Sequence, residues 1–361
     1  MTERVLSVRE LNRALLARQL LLERSSVPIP RALERVGGLQ TQYAPSAYIG
    51  LWSRLEGFQL AQLTRALEQK RAVQGTLMRS TIHMVSARDY WLFADGVGRS
   101  REERWLRTNR KQVGNDVDIT AVAAKLREEL RGRTWQRREL DELLRSHEST
   151  VWHGAWVELV RVPPSGTWER RRADLFRLAE EWLGPSDAGE EKGLEHLLRR
   201  YLGGFGPAAL AEAANWAGVG PTKLQPAAER LRLRTFRSEQ GKVLLDLPRA
   251  PLPGGDARAP VRLLPTWDAT LLVHARRTQI LPERFRPLVF NTKTPHSVST
   301  VLVDGAVAGA WHVERTARKA ALVVAPYEAL PRRALRELRD EAARLVRFVE
   351  PQATSYAVRG V

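Results

Sequence analysis

Leu6, Leu11, Leu15, Leu16 and Leu20 keep one apolar stripe at helical spacing, and Ser7 with Glu10 three residues later forms a capping-box pattern at its start. A second short helix is expected from Pro30, suited to a first turn, to Gly37-Gly38, where glycines can stop it. Pro45 opens a third, carrying Tyr48, Leu51, Trp52 and Leu55, and a fourth covers 60–70. Ala72 to Ser86, rich in Val, Thr, Ile and Met, reads as extended; Ser86 with Asp89 signals another helix start. Helices followed by a two-stranded stretch make a winged-helix-like unit.

The same order recurs twice. Residues 117–130 and 134–146 are expected to be helical. Val157 to Val162, the turn Pro163-Pro164-Ser165-Gly166 and Thr167 to Arg171 then give a hairpin pattern. Farther on, 192–202, 207–216 and 221–231 read as helices, followed by strands over 231–236 and 243–247. Pro248 to Pro260 is the clearest linker. After it, 298–303, Asp304-Gly305 and 306–313 make the strongest hairpin signal, because Asp-Gly suits a type I′ turn. Residues 319–324 can add a strand, and an amphipathic helix follows Pro331. The expected fold is mainly α with small β wings. It comprises winged-helix-like modules over residues 1–115, 116–190 and 191–250, and a C-terminal antiparallel β and helix region over 258–361.

Charge changes the picture. The 361 residues carry 58 Lys plus Arg against 41 Asp plus Glu, a formal net charge of +17, and fifty of the basic residues are arginines. Such a surplus attracts polyanions, and arginine favours bidentate phosphate contacts. An apolar share of 43% with eleven tryptophans excludes disorder. The absence of cysteine excludes disulfides, thiolate metal sites and a cysteine nucleophile. The longest apolar runs are too short to span a bilayer, and no apolar signal core follows Met1. A cytoplasmic, nucleoid-associated protein is expected. There is no GxxxxGK[ST], GxSxG, HExxH or GxGxxG pattern, and His83, His147, His153, His196, His274, His296 and His312 show no metal-ligand spacing. Neither a metal nor a cofactor is expected.

Three segments carry a family resemblance. Val36 to Leu55 contains Gly37-Gly38-Leu39-Gln40-Thr41-Gln42; Gly75 to Val85 contains Arg79, Thr81 and His83. The third runs from Leu264-Pro265-Thr266-Trp267-Asp268 through His274, Arg277, Phe290 and Lys293-Thr294-Pro295 to Thr300–Gly305 and Ala308–Trp311. Together they resemble the winged-helix alkylpurine DNA glycosylases of the AlkZ and YcaQ type. The resemblance implies tandem winged helices around a C-shaped basic channel for duplex DNA. It also implies a catalytic Gln, aliphatic, Gln signature, with Asp last in the YcaQ branch. Gln40 and Gln42 match the AlkZ branch; Thr41 replaces the aliphatic residue and is β-branched, nearly the size of Val.

The chemistry is coherent. Ordinary glycosidic hydrolysis uses a carboxylic acid and a carboxylate. A purine alkylated at N7 is already cationic, so its departure needs no proton. A Gln carbonyl can accept a hydrogen bond from the attacking water and turn its negative end toward the oxocarbenium. If 40–42 is extended, both glutamines face the same side. Arg79, Thr81 and His83 alternate, so a strand would project them together toward DNA. Lys293, His296 and Ser297 precede the Asp-Gly hairpin, where the family has a hairpin approaching DNA. The expected enzyme is a monofunctional DNA glycosylase without lyase activity, acting as a monomer on double-stranded DNA containing N7-alkylated purines, bulky or crosslinked ones among them. Its role would be base-excision repair or self-resistance to an alkylating natural product. The competing reading is a non-enzymatic winged-helix regulator, but three different modules in one chain fit wrapping a single duplex better than symmetric readout.

Overall fold

The computed structural model describes residues 4–113, 118–146, 157–271, 277–290 and 297–361, with the side chains of 110–113, 119 and 146 left aside. At its centre two helices cross where neither has a side chain. Ala87–Val113 meets Gly189–Phe205 at Gly96 and Gly193, and a Cβ on Gly96 would lie 2.8 Å from the Gly193 carbonyl oxygen. Only glycines permit that approach. Tyr90, Phe93, Val97, Leu197, Tyr201 and Trp216 pack around the crossing to form the largest core.

Three sheets surround this core. The first, six-stranded, runs Leu39–Gln40, Ile82–Ser86, Ala72–Thr76, Leu159–Arg161, Leu175–Leu178, Trp135–Gln136. It joins the glutamine segment to the helices Ile119–Leu130 and Arg137–Ser146. In the second, Val5–Leu6 pairs parallel with Arg234–Ser238, which pairs antiparallel with Val243–Asp246. The third orders Arg262–Leu264, Ser299–Val303, Ala306–Arg315, Lys319–Pro326 and Ser355–Arg359, with Arg332–Val349 crossing between its last two strands, which are parallel.

Most expected elements are present, and the differences have local causes. The Asp304-Gly305 turn carries φ values of 47° and 81°, as a type I′ turn requires. Its carboxylate holds Arg9 and Arg13, tying the first helix to the hairpin. The return strand of the second hairpin is Leu175–Leu178, not Thr167–Arg171. Ser165 Oγ accepts from the backbone of Asp174 and Leu175 and closes 165–174 into a loop. With three sheets among the described residues, there is more strand than small wings. Short pairings such as Leu39–Gln40 and Arg262–Leu264 draw on partners far away in sequence, which a periodicity of a few residues cannot announce.

Candidate active site

Gly37 and Gly38 set the approach to the Gln-Thr-Gln segment. Both have positive φ, and they end the helix Ile29–Val36 and turn the chain into Leu39–Gln40. A Cβ on Gly38 would meet Val85 Cγ1 at 2.9 Å, so glycine alone lets the strand settle against Ile82–Ser86. Gln40 then lies opposite His83, and the Thr41 N–H donates to the Ile82 carbonyl at 2.8 Å. After Gln42 the chain enters Ala44–Arg54, with Pro45 in its first turn.

Gln40 Nε2 donates to Gln42 Oε1 at 2.8 Å, so the two amides do share a side. Arg79 fixes their polarity: its Nη2 donates to Gln40 Oε1 at 3.1 Å. A guanidinium can only donate, so the Gln40 atom facing it must be oxygen, which leaves the amide NH2 for Gln42. Gln40 is 6% exposed, whereas Gln42 is exposed. The two glutamines are therefore unequal. Gln40 is committed inside the protein on both atoms; Gln42 presents one remaining lone pair and its own NH2 outward. No carboxylate bonds either glutamine among the described residues.

Arg79 arrives by a route that strand alternation does not describe. It and Ser80 are left-handed, with φ of 52° and 58°, in the turn Met78–Ser80 before the strand begins at Ile82. That turn swings the guanidinium across to Gln40 and to the Trp216 carbonyl at the end of Leu210–Ala217, where the helix dipole is negative. Among the described residues Arg79 has no carboxylate partner. Burial brings its pKa down to about 10, so it stays protonated at neutral pH.

His83 is 3% exposed and sits behind the glutamines rather than on an open surface. Its Nδ1 lies 3.0 Å from the Thr81 carbonyl, which can only accept, so the proton belongs on Nδ1. Burial, then the Arg79 charge, pushes its pKa to about 3; the ring is neutral. Thr81 is half-buried and its hydroxyl donates to the Met78 carbonyl at 3.0 Å, closing the turn. Ser297 joins no part of this cluster: its hydroxyl accepts from the Trp267 N–H at 2.8 Å and lies 3.0 Å from Thr266 Oγ1. Lys293 and His296 lie outside the described residues.

Beside Gln42 opens a cavity of about 530 Å³ between the six-stranded sheet, the long helix and the pair Ile119–Leu130 and Arg137–Ser146. Its wall is largely apolar, with Ile82, Trp105, Leu140 and Phe176. Arg101 is paired there with Glu158, whose carboxyl burial pushes up despite that guanidinium. Arg161 lies over the Phe176 ring at 5.2 Å and reaches Thr76 Oγ1 only at 3.4 Å.

The AlkZ-like DNA glycosylase family matches residues 33–348, a span that holds the glutamines, the Arg79 turn and most of the C-terminal sheet. The chain belongs to this family. It is a DNA glycosylase, and the regulator reading is not favoured. No curated protein sequence matches it significantly. Among solved structures, the Streptomyces sahachiroi DNA glycosylase AlkZ is similar in fold, with a TM-score of 0.79 at 18% identity over 98% of this chain and 100% of that one. Among the described residues no helix is long and apolar enough to cross a membrane, and no cluster of three His, Asp or Glu is placed to hold a metal ion.

Two parts of this AlkZ-like site escape a sequence reading. The Trp216 carbonyl is a backbone group with no signature. Glu158 and Arg161 had a usable one: two charges inside the apolar stretch Val157–Val162. The arginine run from 99 to 110 divides, since Arg101 and Arg104 bond inward to the Thr76 and Gly218 carbonyls while Arg99 and Arg107 are exposed.

Proposed function

We propose that this glycosylase hydrolyses the N-glycosidic bond of N7-alkylated purines in duplex DNA and leaves an abasic site without lyase cleavage. Gln42 Oε1 accepts a hydrogen bond from the attacking water and turns negative dipole toward the sugar as its positive charge grows. Gln40 is a positioning residue: Arg79 holds its oxygen, and its NH2 holds Gln42. The leaving purine carries its own positive charge, so no acid is needed. Neutral amides are weaker bases than carboxylates, so intact purines are spared.

The observation that carries this reading is the chain of hydrogen bonds from Arg79 through Gln40 to an exposed Gln42, with no carboxylate attached to it among the described residues. Duplex DNA would lie along a C-shaped basic channel formed by tandem winged-helix modules over 1–115, 116–190 and 191–250 and by the region 258–361. Lys293 and His296 would contact DNA ahead of the Asp-Gly hairpin. Arg79, Thr81 and His83 support the site from within, given the bonds they already make, whereas Ser297 holds the Thr266-Trp267 turn apart from it. The enzyme would act as a monomer near the nucleoid, in base-excision repair or in self-resistance to an alkylating metabolite.

Release of 7-methylguanine from methylated duplex by the pure protein tests the reading. The expected result is release that falls in Gln42→Ala. No release from small or bulky N7 adducts, or full activity in that variant, overturns it.

A further inference from the structure

A methyl group needs no pocket, yet Gln42 stands at the edge of a cavity of about 530 Å³. That volume falls within the roughly 300–1,000 Å³ of sites that enclose a whole organic ligand. Its lining is specific in two respects. Ile82, Trp105, Leu140 and Phe176 offer apolar and aromatic surface that gains by shedding water. Arg161 supplies the polar note: Nε is buried with no hydrogen-bond partner, and no carboxylate pairs with the side chain among the described residues. A buried donor without an acceptor is a standing deficit that a ligand carbonyl would relieve.

We infer that this cavity is a specificity pocket for the N7 substituent of the lesion, and that it takes a neutral, aromatic, carbonyl-bearing group. The inference rests on the proposed N7-alkylpurine chemistry and deepens it. With C1′ held near Gln42, a substituent on the departing base enters the adjoining space, stacks against Trp105 and Phe176, and accepts a hydrogen bond from Arg161. Cationic substituents are disfavoured, because, of the four arginines that line the cavity, Arg101 and Arg137 are paired with Glu158 and Asp141, whereas Arg104 and Arg161 have no carboxylate partner among the described residues. A DNA phosphate is the other acceptor that Arg161 can hold, and the test separates the two.

The experiment measures kcat/KM on duplexes carrying one guanine with an N7 methyl, an N7 aryl-amide arm, or an arm of equal length ending in an ammonium group. Wild type, Thr108→Trp and Arg161→Met are compared. Thr108 lies at the rim on an exposed helix face, so the new indole obstructs the cavity without entering the core. The expected result is that the wild type prefers the aryl-amide arm to the ammonium arm. Thr108→Trp should lower the aryl-amide to methyl ratio about tenfold or more, the scale on which apolar pockets discriminate. Arg161→Met should lower the same ratio and leave the salt dependence of binding as it was. An unchanged ratio in both variants overturns the inference alone. So does an equal loss on all three substrates with a shallower salt dependence, the mark of a phosphate contact. Failure of the wild type to release even the methylated base overturns the parent reading, and this one with it.

Discussion

Buried arginines occur in two settings in this molecule. In the scaffold several are matched with carboxylates, although Arg262 is held by the carbonyls of Leu21, Val261 and Leu22. Arg18 meets Asp246 at 2.6 and 3.0 Å, and Arg54 meets Asp268 at 2.9 and 3.0 Å, each as a two-point fork with both partners almost wholly buried. Beside Gln42, Arg101 pairs with Glu158, but Arg79 and Arg161 have no carboxylate among the described residues; they are held by a helix-end carbonyl, an amide and a hydroxyl. A guanidinium closed by a carboxylate has no net charge to offer and serves as a cross-link. One closed by neutral acceptors keeps its charge and its power to orient what it touches. Between Arg18 and Arg54 on one side and Arg79 and Arg161 on the other, the partner, more than the count of arginines, makes the difference.

The scaffold side breaks most severely. Asp268→Asn leaves Arg54 charged and unpaired in the core, where its Nε already lacks a partner. Losing one member of such a pair should lower unfolding free energy by about 3–5 kcal/mol, read by chemical denaturation. Burial alone would raise the Asp268 carboxyl, but Arg54 and Thr270 hold it below its ordinary range. Its contribution is therefore present above the unfolded carboxyl pKa of about 3.9 and is lost as pH falls through the lower folded value. A loss under about 1 kcal/mol in Asp268→Asn would show that the pair is no cross-link.

On the site side the expected damage moves from stability to rate. Gln42→Ala should cost about 10²–10³ in kcat, the range for one group aimed at developing charge. It should leave stability within about 0.5 kcal/mol, as an exposed residue predicts. Gln40→Ala in the Gln42→Ala background should add little, because residues acting as one unit do not add. Additive losses would return Gln40 to direct contact with the reaction.

Arg79→Met sharpens the contrast at smaller magnitude. Without its donor, Gln40 loses the bond that fixes which way its amide points. A drop in kcat of roughly tenfold is expected, equal to about 1.4 kcal/mol, with KM little changed. If KM rises instead while kcat holds, Arg79 is a DNA-binding residue, as strand alternation had suggested.

How much of this was legible beforehand follows from which contacts are local. The capping box at Ser7 and Glu10 forms as written, and so does the Asp304-Gly305 turn, because each depends on residues within one turn. Gln40 and Gln42 were legible as a pair, since an extended chain puts alternate residues on one side. Their inequality was not. It depends on Arg79, which reaches Gln40 through a left-handed turn, and on Trp216, which lies 137 residues farther along than Arg79. The second hairpin was misplaced because Ser165 holds the intervening loop through side-chain bonds that resemble no periodic pattern. Arg18 and Arg54 gave no sign of their partners 228 and 214 residues away.

The smallest expected effect is an absence of one. Of the described groups that touch the glutamines or lie behind them, His83 is held down to about 3 and Arg79 stands at about 10, both far from neutrality. Excision of a cationic purine should therefore be flat from about pH 6 to 9, and should fall toward pH 10 as Arg79 loses its proton and Gln40 its orienting donor. Single-turnover rates, corrected for spontaneous depurination at each pH, measure this. A carboxylate acting as general base would instead give a limb rising with pH. Glu158 is the carboxylate to watch, since burial pushes it up and it shares the cavity with Gln42. A rising limb near neutrality that disappears in Glu158→Gln would assign the chemistry to that carboxylate. It would also blur the contrast between scaffold and site, because a carboxylate already paired with Arg101 would then be working beside Arg79 and Arg161.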